Sequence, residues 1–181
     1  ATAAKALDLH GQIAGASAWR YPPLLAQLIS FAGKLGLCEG ACHPVDRIPL
    51  GRQISVLAAS SASVGVLFAG RELGLRRNAA LVGALLFALL PLGARLSRYA
   101  TPDMLAGSLA VGALWAACRC STRGRRRDYL LAAVFIGLAS AAKYNAGVAA
   151  GAFVFGAFAF RVRFGHELRS ELGALAAATT W

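Results

Sequence analysis

Charge is scarce in this chain of 181 residues: Asp and Glu number only 8, and charged residues of both signs make up 15%, against about 25% in an ordinary soluble domain. So few charges cannot clothe a water-exposed surface, and 57% hydrophobic residues argue equally against disorder. Cysteine is sparse too. Cys38, Cys42 and His43 lack a complete four-ligand zinc spacing, so no metal site is assigned to them. A Cys38–Cys42 disulfide stays open in an oxidising compartment, and Cys118 and Cys120 read as reduced thiols. No Gly-rich phosphate loop follows a strand, and no strand pattern is present at all. The chain starts at Ala1 without a signal peptide and stops at Trp181 inside an apolar run, which reads as a piece of a longer protein.

What is there is a set of apolar blocks of roughly 14 to 19 residues, separated by arginine clusters. That is the pattern of an all-α, polytopic helical membrane protein. The net charge of +11 takes its meaning from position. Arg71, Arg76 and Arg77 form one cluster; Arg119, Arg123, Arg125, Arg126 and Arg127 a second; Arg161, Arg163 and Arg169 a third. Two apolar segments separate each cluster from the next, so one orientation puts 11 of the 19 basic residues on the cytoplasmic side. No aromatic side chains interleave with them as base-stacking platforms would require, so nucleic acid is not an expected partner.

The punctuation predicts about five membrane helices within residues 49–170, with residues 171–181 starting a further, truncated one. The expected spans are Gln53–Gly70, Asn78–Leu96 with a kink at Pro91, Met104–Cys118, Tyr129–Ala142 and Asn145–Phe160. The last two could be read as one stretch of 32 residues, but such a helix would be ~48 Å long against a hydrocarbon core of ~30 Å. A break at Lys143-Tyr144-Asn145 follows. Several spans are short and are expected to extend into flanking polar residues. Gly107, Gly112, Gly137, Gly147, Gly151 and Gly156 are expected to let helix backbones approach closely. Residues 1–48 form an extracytoplasmic loop with an interfacial helix at about 22–37, opened by Pro22-Pro23 and carrying its apolar face into lipid.

Four stretches then stand in order on the outside: Arg20-Tyr21-Pro22-Pro23-Leu24-Leu25, Leu50-Gly51-Arg52, Ser97-Arg98-Tyr99-Ala100-Thr101-Pro102-Asp103 and Ala142-Lys143-Tyr144-Asn145-Ala146-Gly147. In this order the chain resembles, over roughly residues 1 to 170, the GT-C glycosyltransferases that use a polyprenyl-phosphate sugar. That group includes the protein O-mannosyltransferases and the lipid A aminoarabinose transferase. The resemblance implies a membrane transferase of the bacterial cytoplasmic membrane with its active face outside. Its partners would be the lipid-linked sugar donor, a lipid, glycan or protein acceptor, and membrane lipid. No nucleotide cofactor is expected, and a divalent metal stays open. One departure stands out: residues 1–20 hold Asp8 alone where the family has a catalytic acidic pair. That pair is expected to precede Ala1.

The resemblance makes Asp103 the catalytic-site acid of this chain and assigns Arg20, Tyr21, Arg52, Arg98 and Lys143 to the donor phosphate. Each has a simpler explanation. Asp103 follows Pro102 at a helix start and could cap it. Lys143 could snorkel from a helix end, although an ionisable group deep in lipid costs ~2.5 to 3.5 kcal/mol. Arg20 and Tyr21 could anchor an interface, and Arg52 or Arg98 could pair with Asp46 or Asp103. A helical transporter or a non-catalytic membrane subunit is the alternative function, since glycine-rich packing and an intramembrane lysine also suit a substrate pathway.

Overall fold

The computed structural model describes residues 24–34 and 47–164, and every regular element among them is an α-helix. They are α1 (Leu24–Lys34), α2 (Arg47–Glu72), α3 (Arg77–Ala88), α4 (Pro91–Leu96), α5 (Pro102–Thr122), α6 (Arg126–Ala142) and α7 (Tyr144–Phe164). Three are long and apolar enough to cross a membrane: Ile48–Glu72, Pro102–Thr122 and Tyr144–Val162. Each outruns its expected span because the helix continues through flanking polar residues. α6, with 17 residues, and α3, with 12, are shorter.

The expected kink at Pro91 is a full break. Leu90 is extended (φ −59°, ψ 122°), as a residue before proline must be, and Pro91 starts a new helix where its missing N–H loses nothing. At the other anticipated break a single residue suffices. Lys143 is extended (φ −160°, ψ 127°), and α7 begins at Tyr144.

Helix α5 is the hub, packing against α2, α6 and α7. Its contacts are built from small side chains. Ala113, Ala139 and Ala150 meet fully buried from three helices, and Ala116, Cys120 and Ala132 form a second layer. Close approach of backbones replaces the large apolar core of a soluble domain, because lipid tails are as apolar as leucine and leave packing as the driving force. Trp115 sits between Phe68 of α2 and Phe135 of α6, at centroid distances of 6.0 and 6.5 Å. Large side chains point outward instead, with Val148 76%, Phe155 72% and Leu57 69% exposed, as lipid-facing surface requires. Hydroxyls within the spans turn back onto their own helices: Ser60 donates to Val56 O at 3.0 Å, Ser108 to Leu105 O at 2.9 Å and Ser140 to Ile136 O at 2.8 Å.

Only part of the glycine expectation holds. A Cβ at Gly112 would strike the Phe135 ring and one at Gly147 would strike Ser140, so these two set the α5–α6 and α6–α7 spacing. Gly107, Gly137, Gly151 and Gly156 face open space. Helix α1 falls within the expected residues 22–37. Leu25 and Ile29 are buried against Leu50, with Ile54 and Leu105 beside them, so that part of its apolar face seats on α2 and α5, while Leu28 and Phe31 of the same helix stay exposed.

The arginine clusters meet at one end of the bundle. Arg123 pairs with Glu72 at 2.6 Å, joining the α2 and α5 termini. Arg161 reaches from α7 to donate to the carbonyls of Cys120 and Ser121, at 3.4 and 3.1 Å, at the end of α5. Its guanidinium lies over Gly124, whose φ of +59° and lack of a side chain both make room for it. Asp128 is fully buried; its Oδ1 accepts from Arg119 Nε and Nη2, both at 2.7 Å, and its Oδ2 from the Arg125 backbone N–H at 3.2 Å. Arg119 in turn lies 5.1 Å above the Trp115 ring. Cys118 and Cys120, buried in the same region, are free thiols.

Candidate functional site

The opposite end gathers three of the four singled-out stretches. Gly51, one turn into α2, admits the loop before α5 because it lacks a side chain: a Cβ there would lie 2.7 Å from Ala100 Cβ and 3.1 Å from Ile29 Cδ1. Ser55, fully buried one turn later, fixes the contact. Its Oγ lies 2.9 Å from the Tyr99 carbonyl and 3.0 Å from the Gly51 carbonyl, and its single proton serves these two acceptors. The start of α5 is thereby tied to α2 and roofed by α1.

Asp103 stands in the first turn of α5, with Thr101 as N-cap and Pro102 at the first helical position. It does not cap the helix, and no side chain makes a cap bond there. Its Oδ1 accepts instead from Lys143 Nζ at 2.5 Å, across forty residues of sequence. Both side chains are about one-third exposed, so the pair opens to the surroundings rather than closing a core. Its placement follows from two local breaks: proline opens α5 at residue 102, and the extended Lys143 ends α6 beside it. Thr101 Oγ1, two residues before Asp103, is buried with no hydrogen-bond partner among the described residues.

Arg52 and Arg98 belong to the same end, and both are exposed. Neither pairs with Asp103, whose ion-pair partner is Lys143. Asp46, Arg20, Tyr21, Cys38, Cys42 and His43 lie outside the described residues. Ser55, Tyr99 and Arg95 were not anticipated. A serine four residues after a glycine near an apolar helix start was the available signal for Ser55. Among the described residues no three His, Cys, Asp or Glu side chains converge as metal ligands, so no metal step is derived.

A helical bundle with helices long and apolar enough to cross a membrane, basic side chains at one end and a carboxylate–ammonium pair at the other is that of an integral membrane protein. The sequence model of the dolichyl-phosphate-mannose-protein mannosyltransferase family matches residues 50–180, which include the stretches around Arg52, Asp103 and Lys143. The chain belongs to that family, a family of GT-C glycosyltransferases. Membership implies a membrane glycosyltransferase dependent on a polyprenyl-phosphate sugar, and places the chain with transferases rather than transporters. Comparison with the curated proteins and with the solved structures gives no match.

Proposed function

We propose that the Asp103 end of the bundle is the extracytoplasmic working face of a bacterial sugar transferase, where a sugar leaves a polyprenyl phosphate for an acceptor hydroxyl or amine. The observation that carries this reading is the Asp103–Lys143 pair, which joins two of the family-like stretches at one half-open point. The face follows from charge. Arg71, Arg123 and Arg161 stand at the far end, and basic residues favour the cytoplasm.

In the reaction the acceptor oxygen or nitrogen attacks the anomeric carbon, a carboxylate accepts the acceptor's proton, and the bond from that carbon to the phosphate oxygen breaks. Polyprenyl phosphate departs with the bonding electrons. Asp103 orients the acceptor, and Lys143 holds it in place while offering positive charge to the phosphate. Arg52 and Arg98, with Arg20 and Tyr21 from the preceding stretch, supply further donors to the charge that grows on the leaving group.

Full-length protein in liposomes, given a polyprenyl-phosphate sugar and an acceptor, is expected to form glycosylated acceptor and an equal amount of free polyprenyl phosphate. Turnover of a nucleotide sugar in place of the lipid donor would overturn the reading.

A further inference from the structure

Asp103 and Lys143 meet from two separate joints, and each joint has its own fastening. On the Lys143 side Gly147 packs against Ser140, and the Lys143 carbonyl accepts from the Ala146 N–H at 3.0 Å, which closes the corner between α6 and α7. On the Asp103 side the fastening is Ser55. Among the described residues it shares full burial of a polar side chain only with Asp128, at the far end of the bundle. A buried hydroxyl needs a hydrogen bond, and the carbonyl one turn back would be enough. Ser60, Ser63 and Ser140 stop there. Ser55 does more: its Oγ also lies 2.9 Å from the Tyr99 carbonyl, forty-four residues away in sequence.

Little slack separates that carbonyl from Asp103. Ala100 abuts Gly51, where an added Cβ would lie 2.7 Å from the Ala100 Cβ. Thr101 is extended (φ −114°, ψ 153°), and the ring of Pro102 fixes its own φ. A shift at Tyr99 is therefore passed on to the first turn of α5. We propose that Ser55 is a positioning residue for sugar transfer: by holding the Tyr99 carbonyl, it sets where the Asp103 carboxylate stands relative to the acceptor. The inference rests on the reading of Asp103 as the group that orients the acceptor. Ser55 itself, without solvent exposure, touches no reactant.

Full-length protein in liposomes tests this through coupling. A misplacement of ~1 Å at a reacting site can cost about 10²-fold, so Ser55→Ala, which removes one of two tethers, is expected to lower kcat about tenfold. The donor KM should move by less than about twofold, with thermal unfolding in detergent confirming a folded protein. Gly51→Ala keeps the hydroxyl but drives a methyl against Ala100, and should lower kcat in the same way. It carries the test alone if Ser55→Ala does not accumulate. In an Asp103→Asn background both losses should shrink to less than about twofold, because residues that act through one another are not additive. Full losses in that background would overturn the proposal, as would wild-type kcat in either variant. A loss borne by the donor KM would place the effect on Arg98, next to Tyr99, and would overturn it too. The two readings fail separately. Normal turnover in Asp103→Asn would sink the role of Asp103 and this inference with it, whereas a slow Asp103→Asn to which Ser55→Ala adds its full loss would sink only the tether.

Discussion

Asp103→Asn in the full-length protein is expected to lower sugar transfer by about 10²-fold or more, the usual loss when a positioned charged group is removed from a reacting site. A helix-capping role would predict almost no effect, because asparagine caps as well as aspartate. The structure removes that explanation more directly: Thr101 holds the N-cap position, and the Asp103 carboxylate is turned to Lys143. What remains structural is its charge near the positive end of the α5 dipole, worth about 0.3 to 1 kcal/mol. Pairing alone is separated from chemistry by a second variant. If the two side chains only neutralise each other and neither meets a reactant, the double change Asp103→Asn with Lys143→Gln should restore turnover, since no unpaired charge is left. If the carboxylate orients the acceptor, the double variant is at least as slow as the single one while expression and detergent stability remain near normal. Asp46→Asn serves as the carboxylate control from the preceding loop.

The second large effect is expected at the other end and concerns stability. Asp128→Ala should destabilise the bundle by about 3 kcal/mol, because it strands the Arg119 guanidinium between Trp115 and the α5–α6 contact and also removes the acceptor for the Arg125 N–H. Replacing both partners, with Arg119→Met and Asp128→Leu, should cost clearly less, since a buried ion pair repays its desolvation poorly and the loss arises mainly from leaving one charge alone. Thermal unfolding in detergent measures both. A double variant less stable than the single one would show that the pair itself, rather than the stranded charge, carries the stability.

The membrane helices were legible because their signal is local. The apolar runs that became α2, α5 and α7 are bounded by arginines, and the break at Lys143 follows from bilayer thickness alone. The shared end of the arginine clusters was legible for the same reason, by counting crossings. What escaped notice depends on which helices become neighbours. Asp103 and Lys143 are forty residues apart, and nothing in either stretch names the other as partner. Ser55 follows Gly51 by one turn, but its acceptor is the backbone carbonyl of Tyr99, forty-four residues on, and nothing in the sequence names that partner. Arg119 reads as one more member of a solvated cluster until α6 places Asp128 beneath it. The glycines were misjudged in the same way. A small residue permits close approach, yet only at Gly112 and Gly147, of the six singled out, does a neighbouring side chain stand where the Cβ would be.

Sidedness of transfer tests the central claim most directly. Sealed membrane vesicles of opposite orientation, carrying the full-length protein and a labelled polyprenyl-phosphate sugar, would be given an acceptor that cannot cross the bilayer. Transfer is predicted in right-side-out vesicles, where the Asp103–Lys143 end meets the acceptor, and its loss with Asp103→Asn. Transfer confined to inverted vesicles, where the Arg123–Glu72 end would face the acceptor, would contradict the account.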